Sequence, residues 1–231
     1  MKLYSYFRSS AAFRVRIALN LKGLSYDTQA VHLLKQGGEQ HSAEYAAINP
    51  SELVPTLLDQ QYVLTQSLSI LEYLEEAYPK TALLPQNLQQ RAQIRAFAQY
   101  IACEIHPLNN LRVLQYLEQT LAVSNSEKTA WYQHWIKLGF HSLEQQLQQS
   151  NGQYCFGEQP TFADCCLIPQ VYNAKRFQID LTDTYLALYQ KKPCLRQKKA
   201  RSRKNGSELG NRIDERLFSS GFRGGGSGFF R

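Results

Sequence analysis

Tyr4-Ser5-Tyr6-Phe7-Arg8-Ser9-Ser10-Ala11-Ala12-Phe13-Arg14-Val15-Arg16-Ile17-Ala18-Leu19 reads as a short strand, a polar turn and an amphipathic helix. Residues 2 to 6 alternate with the period of two that a strand requires. Phe13, Ile17 and Leu21, with Val15, Ala18 and Leu19, fall at helical spacings before Gly23 stops the run. Paired serines at such a junction sit where backbone N–H groups are unpaired and the helix dipole is positive, so an anion or thiolate placed there is stabilised. Taken alone, Ser9-Ser10 reads as an ordinary helix cap.

Moving outward, the strand-like run Tyr26 to Leu33 completes a βαβ unit with parallel pairing. A glycine-bearing loop, Lys35 to Gln40, and a helix-like stretch, Ser42 to Ile48, lead to Asn49-Pro50-Ser51-Glu52-Leu53-Val54-Pro55-Thr56-Leu57-Leu58-Asp59. Proline cannot donate to a sheet ladder, so Val54-Pro55 ahead of a strand has two readings. The commoner is an ordinary trans proline at a strand start; the other is a cis peptide that turns the N–H and C=O of Val54 outward, toward an extended ligand. Gln60-Gln61 turns the chain into a return strand, Tyr62 to Thr65, and Gln66-Ser67 opens a helix, Leu68 to Tyr78. Ser67 is its expected N-cap, Leu68, Ile70, Leu71 and Leu74 its apolar stripe, and Glu72, Glu75 and Glu76 its water-facing side. Gln66 and Ser67 repeat the situation of Ser9 and Ser10. Two such helix starts on one βαβ-ββα unit are placed to clamp the two ends of a peptide-like anion.

Pro79 to Gln86 reads as a linker, beyond which strand signals cease. Asn87 to about Gln119 is a helical pattern that His106-Pro107 must kink or break, and Ser126 to Gln149 is an amphipathic helix carrying Trp131, Trp135 and Phe140. Thr161 and Asp164 have capping-box spacing at the start of a third helix, a structural signal with no catalytic role. The fold class is therefore α/β plus all-α, with an α/β domain over 1–80, a helical domain over 87–183 and an atypical basic tail over 184–231.

The bulk numbers bound the rest. With 43% hydrophobic and 12% aromatic residues in 231, the chain has enough apolar material for a globular core. No apolar run approaches the roughly 20 residues of a membrane helix, and the chain enters a strand pattern directly, so a cytoplasmic protein is expected. Five cysteines, Cys103, Cys155, Cys165, Cys166 and Cys194, are odd in number and have neither CxxC nor metal-ligand spacing, so reduced thiols and no metal are expected. Residues 184–231 hold five Lys and seven Arg against three acidic residues, a net +9; since the whole chain carries +7, the other 183 residues carry −2. The basicity belongs to the tail, which is read as a solvated, disordered end rather than a nucleic-acid-binding segment.

The order βαβ, Val54-Pro55, ββα with Gln66-Ser67, then an all-helical half resembles the glutathione transferase fold, with a thioredoxin-like N-terminal domain. The run Ser9 to Leu19 is similar to the signature of the zeta class, whose best-known members are maleylacetoacetate isomerases. Ile105-His106-Pro107-Leu108-Asn109-Asn110-Leu111-Arg112 and Pro169-Gln170-Val171-Tyr172-Asn173-Ala174-Lys175-Arg176-Phe177 resemble that class as well, so the likeness runs from Met1 to about Asp183. It implies a homodimer and glutathione-dependent cis–trans isomerisation of a small diacid: maleylacetoacetate in tyrosine and phenylalanine catabolism, or alternatively maleylpyruvate or a general zeta-class glutathione transferase activity. A thiolate adds to the cis double bond, the single bond rotates, and elimination regenerates glutathione.

Carried over residue by residue, the resemblance puts Ser9 and Ser10 at the thiol and the backbone of Val54 along the cysteinyl part. Gln66 and Ser67 then hold the γ-glutamyl carboxylate and Gln40 the glycyl end. His106, Asn110 and Arg112 line the site from the helical half, and Arg8 and Arg176 are assigned to substrate carboxylates, which suit guanidinium geometry. Two departures stand out. Ala11 occupies a position that is often Cys in the class, and Thr184-Tyr185 leads into the basic tail where relatives usually continue with a Tyr-Pro turn and another helix. The tail is accordingly expected to be out-of-frame sequence. A glutathione-binding module without turnover is the competing reading from another class.

Overall fold

The central strand of the molecule is β1 (Lys2–Ser5), whose Leu3 is fully buried opposite Leu57. The computed structural model describes residues 1–181 together with Tyr185, Ala187 and Leu188; the expectations for the rest of the basic tail lie outside the described residues. Strand β1 pairs in parallel with β2 (Asp27–Ala30), from Lys2 opposite Asp27 to Ser5 opposite Ala30, by way of helix α1 (Ser10–Lys22). On its other side it pairs antiparallel with β3 (Thr56–Asp59), which pairs antiparallel with β4 (Tyr62–Thr65), giving the order β2-β1-β3-β4. The strand expected over 26–33 is shorter: Val31 N–H still donates to the Ser5 carbonyl, and its side chain joins an apolar cluster with Tyr6, Val54 and Tyr45 of helix α2 (Ala43–Ile48).

Helix α1 begins with Ser9 as its N-cap, the hydroxyl oxygen accepting from Ala12 N–H at 3.2 Å. It ends at Gly23, whose φ of 69° is the left-handed conformation that lets its N–H and that of Leu24 turn back onto the Asn20 and Leu19 carbonyls. The expected amphipathicity is not how the helix is used. It packs against both helix α3 (Ser67–Ala77) and helix α7 (Phe162–Arg176), and Arg14 and Arg16 are buried along with the apolar residues.

A second correction concerns Glu75, expected to face water. It is buried and bonds Lys22 Nζ at 2.7 Å, while Lys22 also donates to the carbonyls of Tyr78 and Thr81 and Glu75 accepts from the N–H groups of Leu83 and Leu84. The C-terminal ends of α1 and α3 are thereby fastened to the segment read as a linker.

In the helical half, α4 (Leu88–Gln99) is followed by a widened π-type stretch, Tyr100–Ile105, and a 3-10 turn, Pro107–Asn109. The break starts before His106-Pro107 because the proline has no N–H to continue the ladder, and His106 N–H reaches back five residues to Ile101. Helices α5 (Leu111–Gln119) and α6 (Asn125–Gln148) follow, before α7. As expected, Asp164 closes the start of α7, accepting from the N–H and hydroxyl of Thr161 and from Cys155 N–H. Among the described residues no helix is long and apolar enough to cross a membrane.

Candidate active site

The start of α1 lies against α7. Ser10 is buried and its Oγ accepts from Asn173 Nδ2 at 2.8 Å, while Asn173 lies 3.5 Å from Gln170 Oε1 on the same helix. Ser9, half-buried, is one residue outside and carries the cap. Arg176 follows Asn173 by three residues and so projects one turn further along the same face of α7. Its guanidinium stacks on Phe177, which is itself stacked on Tyr132 of α6 at 3.6 Å, and Gln133 Nε2 holds the Phe177 carbonyl.

Arg8, exposed in the turn between β1 and α1, lies over the Phe7 ring. Both arginines act on one group: burial raises the pKa of the Tyr6 phenol, and the charges of Arg8 and Arg176 oppose that rise. Tyr6 is close to Ser9-Ser10 in the chain and is packed with Val54.

The Val54-Pro55 peptide is cis. Among the described residues, neither the N–H nor the C=O of Val54 has a hydrogen-bond partner, whereas the neighbouring Leu53 carbonyl accepts from the Tyr45 hydroxyl and Asn49 Nδ2. Gln66, not Ser67, occupies the cap position of α3, at a φ of 64°; Ser67 is the first helical residue and is buried. Its Oγ accepts from Arg14 Nη1 at 3.1 Å.

Gln40 is buried with its Oε1 unpartnered, and its Nε2 meets His41 Nε2, whose other ring nitrogen contacts Glu52 two residues before Val54. A Cβ at Gly38 would collide with the Gln40 amide, so the glycine loop leaves room for that side chain. Among the described residues no hydrogen bond joins Gln40, Gln66 or Arg112 to the serine pair.

From the helical half, His106, half-buried, follows the π-type stretch, and its pKa is pushed down to about 3, by burial first and then by the charges of Arg14 and Arg112. It is therefore a neutral imidazole near neutral pH. Asn110 caps α5, accepting from Arg112 N–H, and leaves the Arg112 side chain exposed. Burial raises the Cys166 thiol to about 11, which removes it as a nucleophile.

Sequence reasoning missed Tyr6, Arg14, Asn109 and Asn173. Asn109 is buried with both amide atoms unpartnered among the described residues. Asn173 had one usable signal, its three-residue spacing from Arg176; Arg14 had its place among Phe13, Val15 and Ile17.

A four-stranded βαβ-ββα unit with an open Val54 backbone after a cis peptide, followed by helices, has the architecture of a glutathione transferase. Residues 3–82 match the family model described as glutathione S-transferase, N-terminal domain. The chain is 54% identical over 180 residues to the probable maleylacetoacetate isomerase of Vibrio cholerae, covering 78% of this chain and 84% of that one. It superposes on a bacterial zeta-class maleylpyruvate isomerase with a TM-score of 0.82 and 44% identity, covering 86% of this chain and 93% of that one. A maleylacetoacetate isomerase from Methylobacterium extorquens AM1, solved with malonate and glutathione bound, gives a TM-score of 0.77 and 37% identity over 83% and 89% of the two chains. The chain belongs to the zeta class of the glutathione transferases, the maleylacetoacetate isomerase family.

Proposed function

We propose that the protein is a glutathione-dependent cis–trans isomerase that converts maleylacetoacetate to fumarylacetoacetate in tyrosine and phenylalanine catabolism, acting as a cytoplasmic homodimer. The observation that carries this reading is the contact of Asn173 with Ser10, which sets the helix carrying Arg176 against the serine pair, with Arg8 in the turn just before it. Two cations flanking a helix start suit a substrate with two carboxylates. The relatives' names supply the rest, since one is a maleylacetoacetate isomerase and another was solved with the diacid malonate beside glutathione.

The residues fit glutathione. Gln40 has an orphaned buried oxygen for the glycyl end, Val54 an unpaired N–H and C=O for the cysteinyl backbone, and Gln66 and Ser67 the start of α3 for the γ-glutamyl carboxylate. Bound glutathione supplies a thiolate nucleophile that opens the cis double bond to rotation and is released unchanged.

The protein's own part is to keep that thiol ionised and to hold the diacid over it. Ser9 and Ser10, with the first N–H groups of α1, present donors and a positive dipole end to the sulfur. Asn173 fixes the Ser10 hydroxyl. Arg8 and Arg176 take the carboxylates, and neutral His106 with Asn110 and Arg112 closes the helical side. Residues 1–80 form the glutathione-binding domain and 87–183 the substrate domain.

Maleylpyruvate is the second reading, favoured by the zeta-class structural neighbour of that name. The two are separated by measuring kcat/KM for both cis diacids at saturating glutathione. A higher value for maleylacetoacetate is expected, and a higher value for maleylpyruvate would replace it as the substrate.

A further inference from the structure

Arg14 is only 2% exposed, at the heart of the molecule between the sheet-bearing half and α7. Among the described residues it forms no ion pair. Its single hydrogen bond is from Nη1 to Ser67 Oγ at 3.1 Å, and Nε and Nη2 have no partner. Two groups that feel its charge supply no anion: His106, which burial already holds neutral, and the Cys166 thiol, which burial holds protonated. By contrast, the other buried cations on α1 are well satisfied. Lys22 has a carboxylate and two carbonyls, and Arg16 donates to Ser5 Oγ and to the carbonyls of Tyr6 and Phe7.

A guanidinium taken out of water without an anion is strongly unfavourable unless an anion arrives. The one hydroxyl it touches belongs to the first residue of α3, an 11-residue helix whose first N–H groups face the same end. Because Ser67 Oγ accepts from Arg14, its own O–H must point elsewhere. A hydroxyl polarised in this way by a cation is a better donor than an isolated one.

Building on the glutathione reading above, we propose that Arg14 is a positioning residue and the buried counter-charge for the γ-glutamyl α-carboxylate of glutathione, acting through the Ser67 hydroxyl. The carboxylate sits at the start of α3, accepts from Ser67 O–H and the helix N–H groups, and neutralises a charge that is otherwise unmatched. Arg14 makes no contact with the ligand.

The test compares two ligands by calorimetry on the full chain: glutathione, and γ-aminobutyryl-cysteinylglycine, which is the same tripeptide without that carboxylate. The wild type is expected to prefer glutathione by more than about tenfold, the size of a charge-assisted hydrogen bond. In Arg14→Met and in Ser67→Ala the preference falls to within about threefold while the affinity for the analogue stays within about twofold of wild type. Arg14→Lys, which retains the charge, restores part of the preference.

If Arg14→Met does not fold, Arg14→Gln and Arg14→Lys carry the same comparison. Equal losses for both ligands, or an unchanged preference in the variants, would mean that Arg14 is structural and overturn the inference alone. A wild type that binds neither ligand would overturn it together with the glutathione reading.

Discussion

Asn173 Nδ2 on α7 donates to Ser10 Oγ at the start of α1 across 2.8 Å, joining residues 163 positions apart. The contact ties the start of α1 to the helix that carries Arg176. Removing the amide in Asn173→Ala leaves the Ser10 hydroxyl without its buried donor. The expected results are a loss of about 1–2 kcal/mol in denaturant unfolding and a fall of about tenfold in kcat. The shift in kcat at saturating glutathione separates mis-orientation of the serine from weaker ligand binding.

Arg8 and Arg176 are the cations proposed for the two substrate carboxylates. Arg176→Ala is expected to raise KM for the diacid by about tenfold or more, as for loss of a charge-assisted pair, and to leave KM for glutathione unchanged. Arg176→Lys should fall between, since an ammonium keeps the charge but loses the planar fork. Steady-state kinetics with each substrate varied in turn makes the distinction.

Glu75 and Lys22 form a buried pair with side-chain exposures of 7% and 1%. Glu75→Ala strands the ammonium and the Leu83 and Leu84 N–H groups, and an unfolding free energy lower by about 3–5 kcal/mol is expected. The folded fraction should retain its kcat, because neither residue touches the serine pair.

That pair also marks the limit of what could be read without coordinates. The βαβ-ββα order, the Ser9 cap, the Gly23 stop and the Asp164 capping box were legible because each is local: a period, a turn residue or a four-residue spacing. Glu75 was read as solvent-facing because its buried partner lies 53 residues earlier. Arg14 and Asn173 escaped for the same reason, their partners being 53 and 163 positions away. The cis state of Val54-Pro55 was one of two open readings, and Ser67 was taken for the cap because a left-handed Gln66 leaves no mark on the sequence. The site residues carried by the resemblance lay in recognisable motifs, but how they connect depended on α7 folding back onto α1.

His106 gives a pH signature. Its folded-state pKa of about 3 lies below the ordinary 6.5, so the folded protein rejects a proton that the unfolded chain accepts. Its contribution to stability is complete above the unfolded value and is lost as pH falls from about 6.5 toward about 3, with a slope of up to about 1.4 kcal/mol per unit. Urea unfolding at stepped pH is expected to show the wild type losing this increment and His106→Asn not losing it. Parallel curves for the two proteins would show that the histidine protonates freely in the folded state.

Whether the residues around Ser9 and Ser10 serve a glutathione-dependent isomerase is decided by the rate of maleylacetone isomerisation by the folded full-length protein, with and without added glutathione. Turnover is expected only with glutathione, and greatly reduced in Ser9→Ala and Ser10→Ala. Absence of isomerisation under both conditions, in a sample shown to be folded, would contradict it and leave a glutathione-binding module without turnover.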